Sequence, residues 1–163
     1  MVMTLTENAK TINATSHRIE VAVQKNQGDP KAKSLLRAIQ EFYQLHVDDL
    51  QIVRIYNVHK NLPREQLEHA AEKLLYDPIV EELYYGSRPK EGNWIVEVSL
   101  KPGVTDNTGK IAQLTFEDFL NETFAPHECI SSSAAYIFTG ALAKADVEKI
   151  AIGLLANSLI EDI

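Results

Sequence analysis

Residues 18–23 read RIEVAV and residues 95–100 read IVEVSL, and the resemblance between these segments extends through the rest of the chain. Each alternates apolar and polar positions with period two, the pattern of a half-buried strand. Ile19, Val21 and Val23 mark the apolar side of the first, and Val96, Val98 and Leu100 that of the second. Glu20 and Glu97 occupy matching positions and are expected to face away from that side. A turn-rich stretch follows each strand, and Asp29 and Asp106 coincide within it at the offset that aligns the two glutamates. Both suit the N-cap of a following helix, where a short acidic side chain accepts from an otherwise unpaired backbone N–H.

The repeat continues in the same order. Leu35, Leu36, Ile39, Phe42 and Tyr43 recur at helical spacing, and Phe116, Phe119 and Leu120 match the last three of them. A longer loop in the second half then widens the offset slightly. Strand-like runs at 50–58 and 130–138 come next, with Tyr56 matching Tyr136. A second helix is expected from about Pro63 and from about Ala143. Its buried face is Leu67, Ala70, Ala71, Leu74 and Leu75 in one half, and Val147, Ile150, Ala151, Leu154 and Leu155 in the other. The exits, LLYDPIVEE at 74–82 and LLANSLIED at 154–162, stop a helix with Asp or Asn and lead two aliphatics into an edge strand.

These observations predict an α+β fold of two tandem strand–helix–strand–helix–strand units with antiparallel-type sheets, packed as an intramolecular pseudo-dimer. The boundaries are a flexible tail at 1–16, a first unit at 17–85, a linker at 86–93 and a second unit at 94–163. A unit of about 70 residues buries too little core alone, which is the reason to expect pairing. Pairing within one chain and pairing between chains both satisfy this requirement, so a monomeric pseudo-dimer and a homodimer stay open.

The composition narrows the function. A net charge of −7 repels phosphate backbones and argues against nucleic-acid binding. No apolar run approaches the roughly 18 residues of a membrane span, and the polar start of the chain lacks a signal-peptide pattern. The single cysteine, Cys129, is read as a small apolar residue near a strand start, consistent with a cytoplasmic protein. His17, His46, His59, His69 and His127 form no metal-ligand spacing and read as solvated or edge residues. Ser131, Ser132 and Ser133 lack a nucleophile elbow and read as polar edge residues. Residues 81–82 and 161–162 read as solvated acidic strand edges. Trp94, Tyr84 and Tyr85 read as packing aromatics beside the linker. No catalytic or metal-binding residue is assigned, and whether the chain belongs to an enzyme is open.

The segment Lys101, Pro102, Gly103, Val104, Thr105, Asp106, Asn107, Thr108 and Gly109, following the strand at 94–98, resembles part of phosphoribosylformylglycinamidine synthase. The run at 154–162 is similar to the end of that enzyme's small subunit. The first half departs from the pattern at 25–31, which lacks Pro-Gly-Val, but keeps the Leu-Leu-Tyr-Asp-Pro exit at 74–78. The resemblance spans about residues 17–163. It implies an assembly role beside catalytic synthase and glutaminase domains, which would hold the ATP and magnesium; this chain itself would carry no cofactor. On this reading Lys101 to Gly109 is a contact loop, Asp106 caps the helix and Gly109 permits close approach. A regulatory small-molecule-binding domain is the alternative, and an independent enzyme a third reading.

Overall fold

In a computed structural model of the chain, residues 16–87 and 91–163 are described. Strand β1 (Ser16–Val23), helix α1 (Pro30–Tyr43), β2 (Asp49–His59), α2 (Arg64–Leu74) and β3 (Glu81–Tyr85) make up the first half. The second half has β4 (Trp94–Leu100), α3 (Asn107–Leu120), β5 (Cys129–Thr139), α4 (Lys144–Ile150) and β6 (Glu161–Asp162). Among the described residues this is a mixed α+β fold, with four α-helices and one six-stranded antiparallel sheet in the order β3-β1-β2-β5-β4-β6. Each half supplies three neighbouring strands. They join where β2 and β5 pair along their whole length, from Asp49↔Thr139 to His59↔Cys129.

Local geometry repeats as well. Helices α1 and α3 both end on a left-handed residue, Gln44 (φ 56°) and Asn121 (φ 51°), at matching positions of the repeat. Such a residue turns the chain out of the helix. At the exits, Ile79 N donates to Asp77 Oδ1 and Leu159 N to Asn157 Oδ1, at 2.9 and 3.1 Å. One difference separates the halves. Leu75 N closes an ordinary helical bond to Ala71 O, whereas Ala156 N reaches Ala151 O across a π-helical turn, Ala151–Leu155. Tyr43 from α1 lies against that turn at Gly153, where a Cβ would collide with its hydroxyl. The corresponding positions in the other half hold Leu120 and Lys73.

The helices cover one face of the sheet, and their cores are interleaved. One cluster joins Ile19, Val21, Tyr56, Val58, Leu67 and Ala71 of the first half to Ala112, Phe116 and Phe124 of the second. The other joins Val96, Val98, Phe138, Val147 and Ile150 of the second half to Ala32, Ile39 and Val47 of the first. So α1 packs against β2 and shares its cluster with residues of β4, β5 and α4, while α3 packs against β5 and α2 and shares its cluster with residues of β1 and β2. Phe116 and Ile39 occupy corresponding places in the repeat and are both fully buried.

Several expectations need correction. Phe42 points away from the α1 core and is 72% exposed, because Ile39 and the half-buried Tyr43 already fill the inward side. Cys129 does begin a strand, but it is exposed. Ser131 to Ser133 lie on β5, a central strand, so their hydroxyls meet side chains of neighbouring elements. Glu20 is on the second face, as its alternation requires, yet only 1% exposed; Ala22, Val53, Ile55, Ala135 and Ile137 form a third buried cluster on that face. The second helix does start at about Pro63, as expected, with Pro63 in its cap position and Arg64 its first helical residue. The tail at 1–16, apart from Ser16, and residues 88–90 of the linker lie outside the described residues; Gly86 N and Asn93 N on either side donate to Arg18 O and Phe138 O.

Candidate functional site

The loop from Lys101 to Gly109 is fastened at both ends. Lys101 N donates to Ile160 O at 2.9 Å, and Lys101 Nζ donates to Ser158 O. Val104 N closes a turn onto Lys101 O at 3.0 Å, with Gly103 at φ 91°, a conformation that favours glycine. Asp106 is the N-cap of α3, and its carboxylate does more than cap. Oδ1 accepts from Gly109 N at 2.7 Å and from Ser132 Oγ at 2.7 Å, while Oδ2 accepts from Ser132 N at 2.5 Å. One carboxylate therefore binds the start of α3 to the centre of β5. Gly109 is buried at this contact, where a Cβ would sit on the Ile130 carbonyl and 2.6 Å from Asp106 Oδ2. Pro102, Gly103, Thr105, Asn107 and Thr108 stay exposed on the outer side. Asp29, in the equivalent place, makes one cap bond, from Lys31 N at 2.8 Å.

Charged groups gather at two other places. On the second face of the sheet, Arg18 Nε donates to Glu20 Oε1 at 2.8 Å and Arg18 Nη2 to Glu97 Oε2 at 2.9 Å. Ser133 Oγ also donates to Glu97, at 2.9 Å. The two glutamates at matching positions thus share one guanidinium. The buried Lys60 bridges Glu122 and Glu128, each at 2.9 Å, with its Nζ 5.1 Å from the centre of the Phe124 ring. Both acids belong to the stretch around the longer loop of the second half.

The Lys60 contact has a pH signature. Its hydrogen bond, then the Ala125 N–H, hold the Glu128 carboxyl below the ordinary glutamate value. A depressed carboxylate contributes stability that is fully present above about pH 4.5, and this is lost as pH falls through the lower folded pKa. The hydrogen bond to Glu128 also raises the Lys60 pKa, so the lysine's contribution is present below about 10.5 and is lost as pH rises through its folded value. Glu128→Gln should accordingly flatten the acid limb of a plot of unfolding free energy against pH. An unchanged acid limb would show that the pair does not couple to folding.

The remaining candidates do not converge. His59 Nε2 lies 3.0 Å from Ser131 Oγ, and burial lowers its pKa. His46 meets Asp48 at the surface, at 3.2 Å, and His69 stands edge-on to Phe119. His17 Nε2 is buried and has no hydrogen-bond partner. Although Cys129 is exposed, partial desolvation of its thiol and then the Asp106 charge push its pKa up, the opposite of what a thiolate nucleophile needs. Among the described residues, no group of three His, Cys, Asp or Glu side chains could hold a metal ion. No described helix is long and apolar enough to cross a membrane.

The acidic exits, expected to be solvated, are built into the structure. Arg54 Nη2 lies 2.8 Å from both Glu81 oxygens, and Asp77 N donates to Glu81 Oε2 at 3.0 Å. Asn157 N donates to Glu161 Oε2 at 2.7 Å. Sequence reading misses Arg54 because its partner is distant along the chain and the pattern of the strand gives no hint of it. Trp94 packs as expected, its Nε1 donating to Leu142 O at 2.9 Å. Two open cavities accompany these features. One, of about 860 Å³, lies beside residues 91–93 and the ends of β1 and β2; the other, of about 420 Å³, lies between the Asp106 loop and the middle of β2 and β5. No family model matches the chain, and no curated protein matches it.

Proposed function

We propose that this chain is a non-catalytic assembly module of a phosphoribosylformylglycinamidine synthase, two small-subunit-like units joined as an intramolecular pseudo-dimer. In this role it would support the glutamine- and ATP-dependent amidation of formylglycinamide ribonucleotide, a step of purine biosynthesis. The observation that carries the reading is the repeated exit turn, with its paired Asp77–Glu81 and Asn157–Glu161 hydrogen bonds. It falls where the sequence resembles the end of the enzyme's small subunit. ATP, magnesium and the ammonia chemistry would belong to the synthase and glutaminase domains that the module joins.

Contact surfaces are available at matching places. Ile79 and Val80 at one exit, and Leu159 and Ile160 at the other, are all exposed, Leu159 to 83%. Apolar side chains at the tip of a hydrogen-bonded turn lose little freedom on docking, which favours association. Mixing the chain with the synthase and glutaminase domains should give a complex in sedimentation velocity, with Kd below about 10 µM. Leu159→Glu together with Ile79→Glu should weaken it, while leaving the melting temperature of the free chain unchanged. Failure to form the complex would remove the assembly role.

A further inference from the structure

Arg54 and Ala134 are equivalent positions of the repeat and are paired in register at the centre of the sheet, so each occupies the other's place in the opposite half. Arg54 is held mainly through one nitrogen. Nη2 meets both Glu81 oxygens at 2.8 Å and the Leu75 carbonyl at 3.3 Å, and Nη1 lies 3.5 Å from the Tyr56 hydroxyl. Their counterparts in the second half are Glu161, Leu155 and Tyr136, and all three line the cavity of about 420 Å³ over Ala134. The half that lacks the arginine has the glutamate and the tyrosine at the matching positions, with Leu155 at the end of the π-helical turn that sets this exit apart.

The Glu161 carboxylate is oriented as its counterpart is. Asn157 N donates to Oε2 of Glu161 just as Asp77 N donates to Oε2 of Glu81. Among the described residues, no cationic side chain pairs with Glu161. Tyr136 lines the same cavity, and burial and then the Glu161 charge raise the pKa of its hydroxyl. Two positive features border the cavity, and both are offset. Arg54 is neutralised by Glu81, and the amino end of α3 faces its own Asp106.

We propose that this cavity binds a small guanidinium-bearing molecule, with the guanidinium taking the place that Arg54 takes in the other half. A planar fork of donors fits a carboxylate beside a carbonyl and a phenol oxygen, whereas an ammonium presents a compact charge without that shape. The site is independent of the assembly role, since it needs only the local geometry of the second half.

Methylguanidinium and methylammonium are the probes, each titrated at millimolar concentration against the isotope-labelled full chain and followed by backbone amide shifts. Methylguanidinium should give saturable shifts at Ala134, Leu155 and Glu161, with methylammonium markedly weaker. Glu161→Gln should weaken binding at least about tenfold, because a charge-assisted contact becomes a neutral one. Ala134→Arg should abolish binding by filling the site from within, and should raise the thermal midpoint. Glu161→Gln gives the decisive comparison if Ala134→Arg does not fold. No saturable shift at these amides, equal affinity in Glu161→Gln, or equal affinity for the two probes would overturn the proposal.

Discussion

Phe116→Ala should lower the free energy of unfolding by about 3–5 kcal/mol, the range for removing a large aromatic from a packed core. Phe116 is fully buried, and its cluster joins Ala112, Phe124 and Ile130 of its own half to Ile19 and Val21 of β1, Tyr56 of β2, and Leu67 and Ala71 of α2. The cavity left by the ring would lie between elements fixed by β-sheet pairing, which limits collapse. The form of the transition is informative as well. Because the cluster is shared, denaturant unfolding followed by fluorescence and by circular dichroism should give one coincident transition with a lower midpoint. Two separated transitions, or a loss below about 1 kcal/mol, would mean that α3 is not seated in the first half's core.

Asp106→Ala should cost about 2–4 kcal/mol, well above the roughly 1 kcal/mol expected when a helix cap alone is removed. The difference comes from Ser132, whose N–H and hydroxyl both turn to Asp106 and would lose their acceptor in a part-buried place. Asp29→Ala provides the internal control, since Asp29 accepts only from Lys31 N at an exposed end, and it should cost about 1 kcal/mol. Equal losses in the two variants, measured by urea denaturation, would show that the link to β5 contributes nothing.

The order of elements is legible in the sequence because strand alternation and helical spacing are local patterns. The caps are legible for the same reason, as Asp29 and Asp106 each stand just before a helical stripe. What cannot be read is non-local. Periodicity marks Phe116 and Ile39 as inward-facing, but cannot say that each enters a cluster shared with the opposite half. The serine run on β5 reads as an edge because polar residues are usual there. In the fold Ser131, Ser132 and Ser133 each meet a partner from another element, namely His59, Asp106 and Glu97. Phe42 is misplaced by its spacing because a helical stripe wide enough to include it is wider than the surface α1 covers. Glu81 reads as solvated because its arginine comes from β2, and no spacing rule links the two.

The sharing of helical cores between halves also bears on the proposed role. A module whose two halves share both helical cores should behave as one rigid body, suited to holding other domains at a fixed separation. The exposed exit turns at Ile79 and Leu159 then stand at related positions on that body. Rigidity of this kind would contribute to assembly without any residue of the chain touching the reacting atoms.

The most direct test of the assembly role is glutamine-dependent amidine synthesis by the synthase and glutaminase domains, measured with and without this chain. Activity that is weak without the chain and rises to saturation as it is added, while ammonia-dependent synthesis changes much less, is the predicted result. Equal glutamine-dependent activity in its presence and absence would contradict it.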